Sequence, residues 1–188
     1  GPNDTQVSVP GVPDVATGGT VTVTAGGKTV TVPVKVENGV ASPSDLTLHE
    51  VRVTVVDKDG QPIEGATVTA GGQTSAATGA DGVATLYLVG GVTYRDLKAE
   101  ATGYIAISNQ TLAVDAAGVA RPAKIELAKA GSHSVNFTVN KGATVTVSDP
   151  TNGSHTATAG PNDTQVSVPG VSDVATGGTV TVTAGGKT

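Results

Sequence analysis

Carboxylates gathered around one turn are the first residues in this sequence that point to chemistry. Asp57, Asp59 and Glu64 stand close together in Asp57-Lys58-Asp59-Gly60-Gln61-Pro62-Ile63-Glu64, and clustered carboxylate oxygens are what Ca²⁺ prefers. The string lacks the remaining loop ligands and the distal glutamate of an EF-hand. Asp59-Gly60 is also turn chemistry, so a hairpin turn is the competing reading. Three imidazoles are present, His49, His133 and His155. His49-Glu50 opens like the zinc motif H-E-x-x-H, but Val53 stands where the second histidine belongs, and the stretch alternates like a strand whereas that motif needs a helix. No serine sits in a G-x-S-x-G elbow. Cysteine is absent, which removes disulfides, thiolate metal sites and thiol nucleophiles. The expectation is a protein without catalytic residues, cofactor or essential metal, with Asp57, Asp59 and Glu64 as its one calcium candidate.

The elements that carry these residues read as strands. Val21-Thr22-Val23-Thr24 and Val30-Thr31-Val32-Pro33-Val34-Lys35-Val36 place valine on one face and Thr, Pro or Lys on the other. Alternation at period two with β-branched residues marks a half-buried strand. Val51-Arg52-Val53-Thr54-Val55, Ala66-Thr67-Val68-Thr69-Ala70 and Thr144-Val145-Thr146-Val147 follow the same rule. Pro33 has no N–H, so its strand belongs at a sheet edge or its nitrogen on a non-pairing side. Turn signals separate the strands at Lys58-Asp59-Gly60, Gly71-Gly72, Ala80-Asp81-Gly82, Gly90-Gly91, Thr151-Asn152-Gly153 and Gly185-Gly186. Residues 115–120 read as a loop, because Gly118 and Pro122 curtail any helix there. Short strands at regular spacing predict antiparallel β-sandwiches.

Residues 1–29 return at the other end of the chain as residues 160–188, an offset of 159 positions from Gly1 to Gly160, with Pro13 against Ser172 as the only difference. Copies this close mark a tandem array. The offset divides the chain into residues 1–42, the C-terminal half of a small β-module A; residues 43–130, a complete module B; and residues 131–188, the next A without its last strand. The equivalent of residues 30–42 has no counterpart after Thr188. Val30, Val32, Val34 and Val36 are therefore the candidate strand for completing an open module A of a neighbouring copy, in cis along one chain or head to tail in trans.

Composition narrows the partners. The formal net charge is −5 and the eleven Lys and Arg residues are scattered, so no basic stripe exists for nucleic acid and none for an anionic membrane surface. No stretch approaches the roughly 20 apolar residues of a spanning helix. Aromatics are limited to Phe137, Tyr87, Tyr94 and Tyr104, which leaves cores built mainly of Val and Ala. Methionine is missing even at position 1, which reads as an excised segment or a processed product, with any signal peptide or wall anchor outside it. Sequons at Asn3, Asn109, Asn136, Asn152 and Asn162 do not argue for glycosylation in a chain so rich in Ser and Thr.

Module B carries a family resemblance. It runs Asp57-Lys58-Asp59-Gly60-Gln61-Pro62-Ile63-Glu64-Gly65-Ala66-Thr67-Val68, then Thr78-Gly79-Ala80-Asp81-Gly82, Gly91-Val92-Thr93-Tyr94 and Gly103-Tyr104. This order resembles the carboxypeptidase-regulatory-like and Cna-B-like families of prealbumin-like β-sandwiches, with one extra residue between Gly91 and Tyr94. The resemblance implies a non-catalytic stalk, accessory or binding module of extracellular proteins. Cna-B-like relatives often carry a Lys–Asn isopeptide bond promoted by an acid, for which Lys98, Asn109 and Glu100 are the nearest set. Lys98 and Glu100 alternate with Leu97 and Ala99 and so should face solvent. Module A, with Val135-Asn136-Phe137-Thr138-Val139 and Ala143-Thr144-Val145-Thr146-Val147, is similar to small β-modules of bacterial surface proteins. Phe137 should anchor its core, as Tyr94 and Tyr104 should that of B.

The sequence thus predicts tandem Ig-like or prealbumin-like β-sandwiches forming a structural repeat of an extracellular, cell-surface stalk, adhesin or fibre, whose partners are neighbouring copies of itself. The alternative is a carbohydrate-binding accessory module of a secreted enzyme, which would need exposed aromatic platforms.

Overall fold

The computed structural model describes residues 1–173 and 177–188; residues 174–176, inside the second copy of the repeated segment, lie outside the described residues. Among the described residues there is no helix. In chain order the strands are β1 (Val15–Ala25), β2 (Lys28–Glu37), β3 (Val40–Ser42), β4 (Leu48–Val56), β5 (Thr67–Ala70), β6 (Gln73–Thr74), β7 (Val83–Val89) and β8 (Val92–Glu100). They continue with β9 (Ile107–Val114), β10 (Ala120–Arg121), β11 (Lys124–Glu126), β12 (Ser132–Thr138), β13 (Thr144–Asp149), β14 (Gly153–Thr158), β15 (Gln165–Ser172) and β16 (Thr179–Thr183). The predicted alternation is realised as burial. In β4, Val51, Val53 and Val55 are fully buried while Arg52 points to water.

Two sheets enclose the larger core, one ordered β10-β9-β8-β5-β6 and the other β11-β4-β7. Their inner faces contribute Val51, Val53, Val55, Val68, Leu86, Leu88, Tyr94, Leu97 and Leu112 to a single buried cluster. One pairing departs from the antiparallel expectation: β11 runs parallel to β4, Ile125 opposite Val55. Tyr94 fills the centre. Its hydroxyl accepts from the Val89 N–H and donates to the Val89 carbonyl, at 3.0 and 3.1 Å, which satisfies the one polar atom that a buried tyrosine carries. Burial pushes that hydroxyl up to about 12. Tyr104 and Phe137 are half-buried and pack at the margins of their clusters rather than at the centres. Residues 115–119 form a turn closed by the Asp115 carboxylate, which accepts from the N–H groups of Ala117 and Val119.

The smaller core lies between β12-β15 and β14-β13-β16. It consists of Val145, Val147, Ala159, Val166, Val168 and Val171, with Val135, Phe137, Val139 and Ala157 against it. On the wet face of this module, Thr144 pairs with Thr158 and Thr146 with Thr156, hydroxyl to hydroxyl at 2.9 Å. Such cross-strand threonine pairs add modestly to a sheet.

Part of residues 1–42 packs on module B. β1 and β2 form a hairpin, and Val30 and Val32 of β2 belong to the buried cluster of module B. A boundary at residue 42 would cut through that core. The physical reason is a glycine. Gly71 has φ +60°, and a Cβ there would stand 2.6 Å from Val30 Cγ2 and 2.9 Å from the Tyr94 ring. Only a bare backbone lets β2 close over Tyr94. Pro33 is tolerated for the reason expected of its type. The Thr31 N–H leaves the β1 side of the strand to reach the Gly71 carbonyl at 2.8 Å. The Pro33 nitrogen, two residues on, faces that same side.

Candidate functional site

The calcium candidate resolves into a turn. The Asp57 carboxylate accepts from the N–H groups of Asp59 and Gln61, both at 2.9 Å, and the Asp57 N–H bonds the Gln61 carbonyl. This is the local side-chain-to-backbone closure that Asp favours in turns. Asp59 and Glu64 are exposed. Among the described residues no group of three His, Cys, Asp or Glu side chains could hold a metal ion. Thermal melts recorded with millimolar Ca²⁺ and with chelator should therefore coincide. A calcium-induced rise of several degrees would make the turn a binding loop.

The crosslink set lies open to solvent. Lys98 and Glu100 are 3.5 Å apart, each about half exposed, on the outer face of β8. Asn109 is exposed on β9 with φ +54°. The histidines are scattered: His49 is half-buried on β4, and His133 pairs with Asp173 at 3.1 Å on the surface. His155 lies inside module A near Asp149.

The structure does assemble two seats, one for the repeated segment and one for the strand that follows directly on it. On module B, β2 delivers Val30, Val32 and Val34 into the buried interior, while Val36 is half-buried beyond it. Polar contacts hold the register. The Gln73 side-chain amide donates to the carbonyls of Thr29 and Tyr87 at 3.1 and 3.0 Å, and Lys28 Nζ lies 5.3 Å from the Tyr87 ring centre, within the range of a cation–π contact. The Asp96 carboxylate fixes the receiving turn by accepting from the N–H groups of Gly71 and Gly72 at 2.9 Å.

On module A the seat takes the repeated segment itself. In β15, Val166 stands opposite Phe137 and Val168 opposite Val135 on β12. In β16, Thr183, Thr181 and Thr179 stand opposite Thr144, Thr146 and Ser148 on β13. A buried carboxylate locks the first of these strands. Asp149 accepts from the Thr151 N–H at 2.9 Å, from the Asn152 N–H, and from the Ser172 N–H at 3.2 Å. Burial alone would raise its pKa, but the donors from Asn152, Ser172 and Thr151, with His155 nearby, outweigh it and hold the carboxyl below its ordinary 3.8. Asp149, His155 and Ser172 share residue types with a hydrolytic triad. His155 Nε2 is 3.7 Å from Asp149, and it and the Ser172 hydroxyl are buried without partners among the described residues. A nucleophile–base hydrogen bond is what such chemistry requires, and the group instead fastens β15 to the β13–β14 turn.

Sequence reasoning placed Val30, Val32, Val34 and Val36 as the strand that completes module A. In this chain Val30 and Val32 lie in the core of module B, while β15 and β16 of the second copy pair with β12 and β13 of module A. Asp149 was missed as a functional residue. Its turn signal, Asp149-Pro150-Thr151-Asn152-Gly153, is legible, but its bond to Ser172 spans the fold.

Compared with known protein families the sequence matches none, and a search of curated proteins finds no match.

Proposed function

We propose that this chain is a structural repeat of an extracellular stalk or surface fibre, non-catalytic, with module B a prealbumin-like sandwich and the repeated segment as the joint between modules. One observation carries the reading. A single sequence, present twice, closes module A in one copy, and in the other it leads directly into β2, whose Val30 and Val32 lie in the core of module B. In a longer array each such segment would do both, its first strands completing one A and its next strand entering the following B.

The exposed apolar residues support this joint. Val7, Val9 and Val12 at one end, and Val180 and Val182 at the other, are exposed, and each is where a neighbouring copy would lie. The passage from B to A is also fastened: Gly103 N–H donates to the Thr151 carbonyl at 2.7 Å and the Ala130 N–H to the Gly103 carbonyl at 3.0 Å. Mechanical spacing is the function such joints serve. The carbohydrate-binding alternative finds no open platform: Tyr94 is buried, Tyr87, Tyr104 and Phe137 are half-buried, and Tyr87 lies beneath Lys28.

Small-angle scattering from chains of one, two and four periods tests the proposal. The maximum dimension should grow in proportion to the number of periods, because both joints bury backbone bonds or apolar side chains. Growth nearer the square root, as flexible linkers give, would defeat the stalk reading.

A further inference from the structure

Residues 6–13 carry the sequence of β15, apart from Pro13, but form no strand. Val7 is 88% exposed and Val9 70%, whereas their counterparts Val166 and Val168 are 7% and 0% exposed. β1 follows this segment and, among the described residues, is an edge strand bonded only to β2 within its sheet. Ala25 faces Lys28 across a two-residue turn, and the equivalent pair Ala184 and Lys187 exchanges both backbone bonds, at 2.9 and 3.0 Å. In an antiparallel ladder the bonded residues then alternate, so Val23 and Val21 bond toward β2 while Thr24, Thr22 and Thr20 turn their backbone groups outward. Their counterparts Thr183, Thr181 and Thr179 are the residues aligned with Thr144, Thr146 and Ser148 of β13. β1 can therefore occupy the place of β16 without leaving β2.

We propose that residues 6–13 and 20–24 are a docking element for module A of a second copy of this chain, taking the places of β15 and β16 and joining chains head to tail. We further propose that the single difference between the copies decides which segment the module holds. Ser172 donates its N–H to the buried Asp149 carboxylate. Pro13, in the same place, has no N–H to give. The incoming copy leaves a buried charge one donor short, so the chain's own segment wins the seat. The inserting strands are thus the equivalents of β15 and β16, and Val30 to Val36 stay in module B of the incoming chain. The inference rests on the stalk reading for its biological meaning, but not for its test.

The chain has no cysteine, so introduced thiols report register cleanly. Val168 stands opposite Val135, which places Val9 of an incoming chain opposite Val135. Chains carrying Val9→Cys and chains carrying Val135→Cys are unfolded together, refolded at about millimolar concentration to match the effective concentration of the tethered segment, and oxidised. A mixed disulfide is expected, and its yield should rise about tenfold when Pro13→Ser is added. Tenfold corresponds to about 1.4 kcal/mol, slightly under the usual worth of a hydrogen bond to a charged group. A concentration series of masses for the cysteine-free Pro13→Ser chain gives the same answer without touching the core: it should associate at lower concentration than the natural sequence. No mixed disulfide, an equal yield from Val34→Cys in place of Val9→Cys, or no effect of Pro13→Ser on either measurement would overturn the proposal. None of these outcomes bears on how length grows with period number, so failure here and failure of the stalk reading are separable.

Discussion

Val32→Asp is expected to unfold module B or strip the β1–β2 hairpin from it, while Val7→Asp, the same change 25 positions earlier in the chain, leaves both modules intact. Val32 is fully buried in the cluster around Tyr94, and Val7 is 88% exposed. An unpaired carboxylate in such a place costs several kcal/mol, against about 5–15 kcal/mol for the whole stability of an ordinary domain. The third member of the comparison is Val166→Asp, the counterpart of Val7 in the second copy. It is buried among Val145, Val168 and Phe137 and should unfold module A alone. The two modules can be watched separately, because all three tyrosines lie within residues 43–130. Tyrosine bands in near-ultraviolet circular dichroism report B, and far-ultraviolet signals report both. If Val32→Asp left the tyrosine bands and the urea midpoint unchanged, β2 would not belong to the core of B.

How far the sequence carries can be judged on the same residues. Period-two alternation identified β2, β4, β5 and β13 because each has one wet face, and a strand with one wet face writes its burial into its letters. The Asp57 and Asp115 turns were legible for the same local reason: their bonds close within a few positions. What alternation does not encode is which sheet a strand joins. Val30, Val32, Val34 and Val36 have a dry face wherever they go. The residue that directs them to B is Gly71, whose missing side chain leaves room for Val30, and nothing near β2 announces it. The parallel β11–β4 pair was hidden likewise, since direction is set by the path of the connecting chain. The Pro13–Ser172 difference was visible from the outset. Its meaning depended on Asp149, 23 residues from Ser172 in the chain and 3.2 Å from its N–H in space.

That carboxylate carries the other large expectation: Asp149→Ala should unfold module A at neutral pH, and acid should unfold A before B. The core of A is a few valines and alanines with a half-buried phenylalanine, so it has little apolar area in reserve. The Asp149 side chain is wholly inaccessible to solvent. Its removal leaves the N–H groups of Thr151, Asn152 and Ser172 without an acceptor, at about 1–3 kcal/mol for each that stays dry. The direction of the pH effect follows from the depressed pKa. In the folded state the carboxyl titrates below 3.8, so above the unfolded value its bonds contribute in full. As pH falls past the unfolded value the unfolded chain takes up the proton first, and the contribution is spent once pH reaches the folded value. Module A should therefore lose stability below about pH 4, a range set by the ordinary aspartate pKa. Asp149→Asn keeps one acceptor oxygen and removes the titration, so it should weaken A at pH 7 and flatten its acid response. An unchanged acid midpoint in Asp149→Asn would show that another carboxyl governs the transition. Because Asp149 holds β15 through Ser172, Asp149→Ala should also free residues 160–188 from the seat that a second copy would fill.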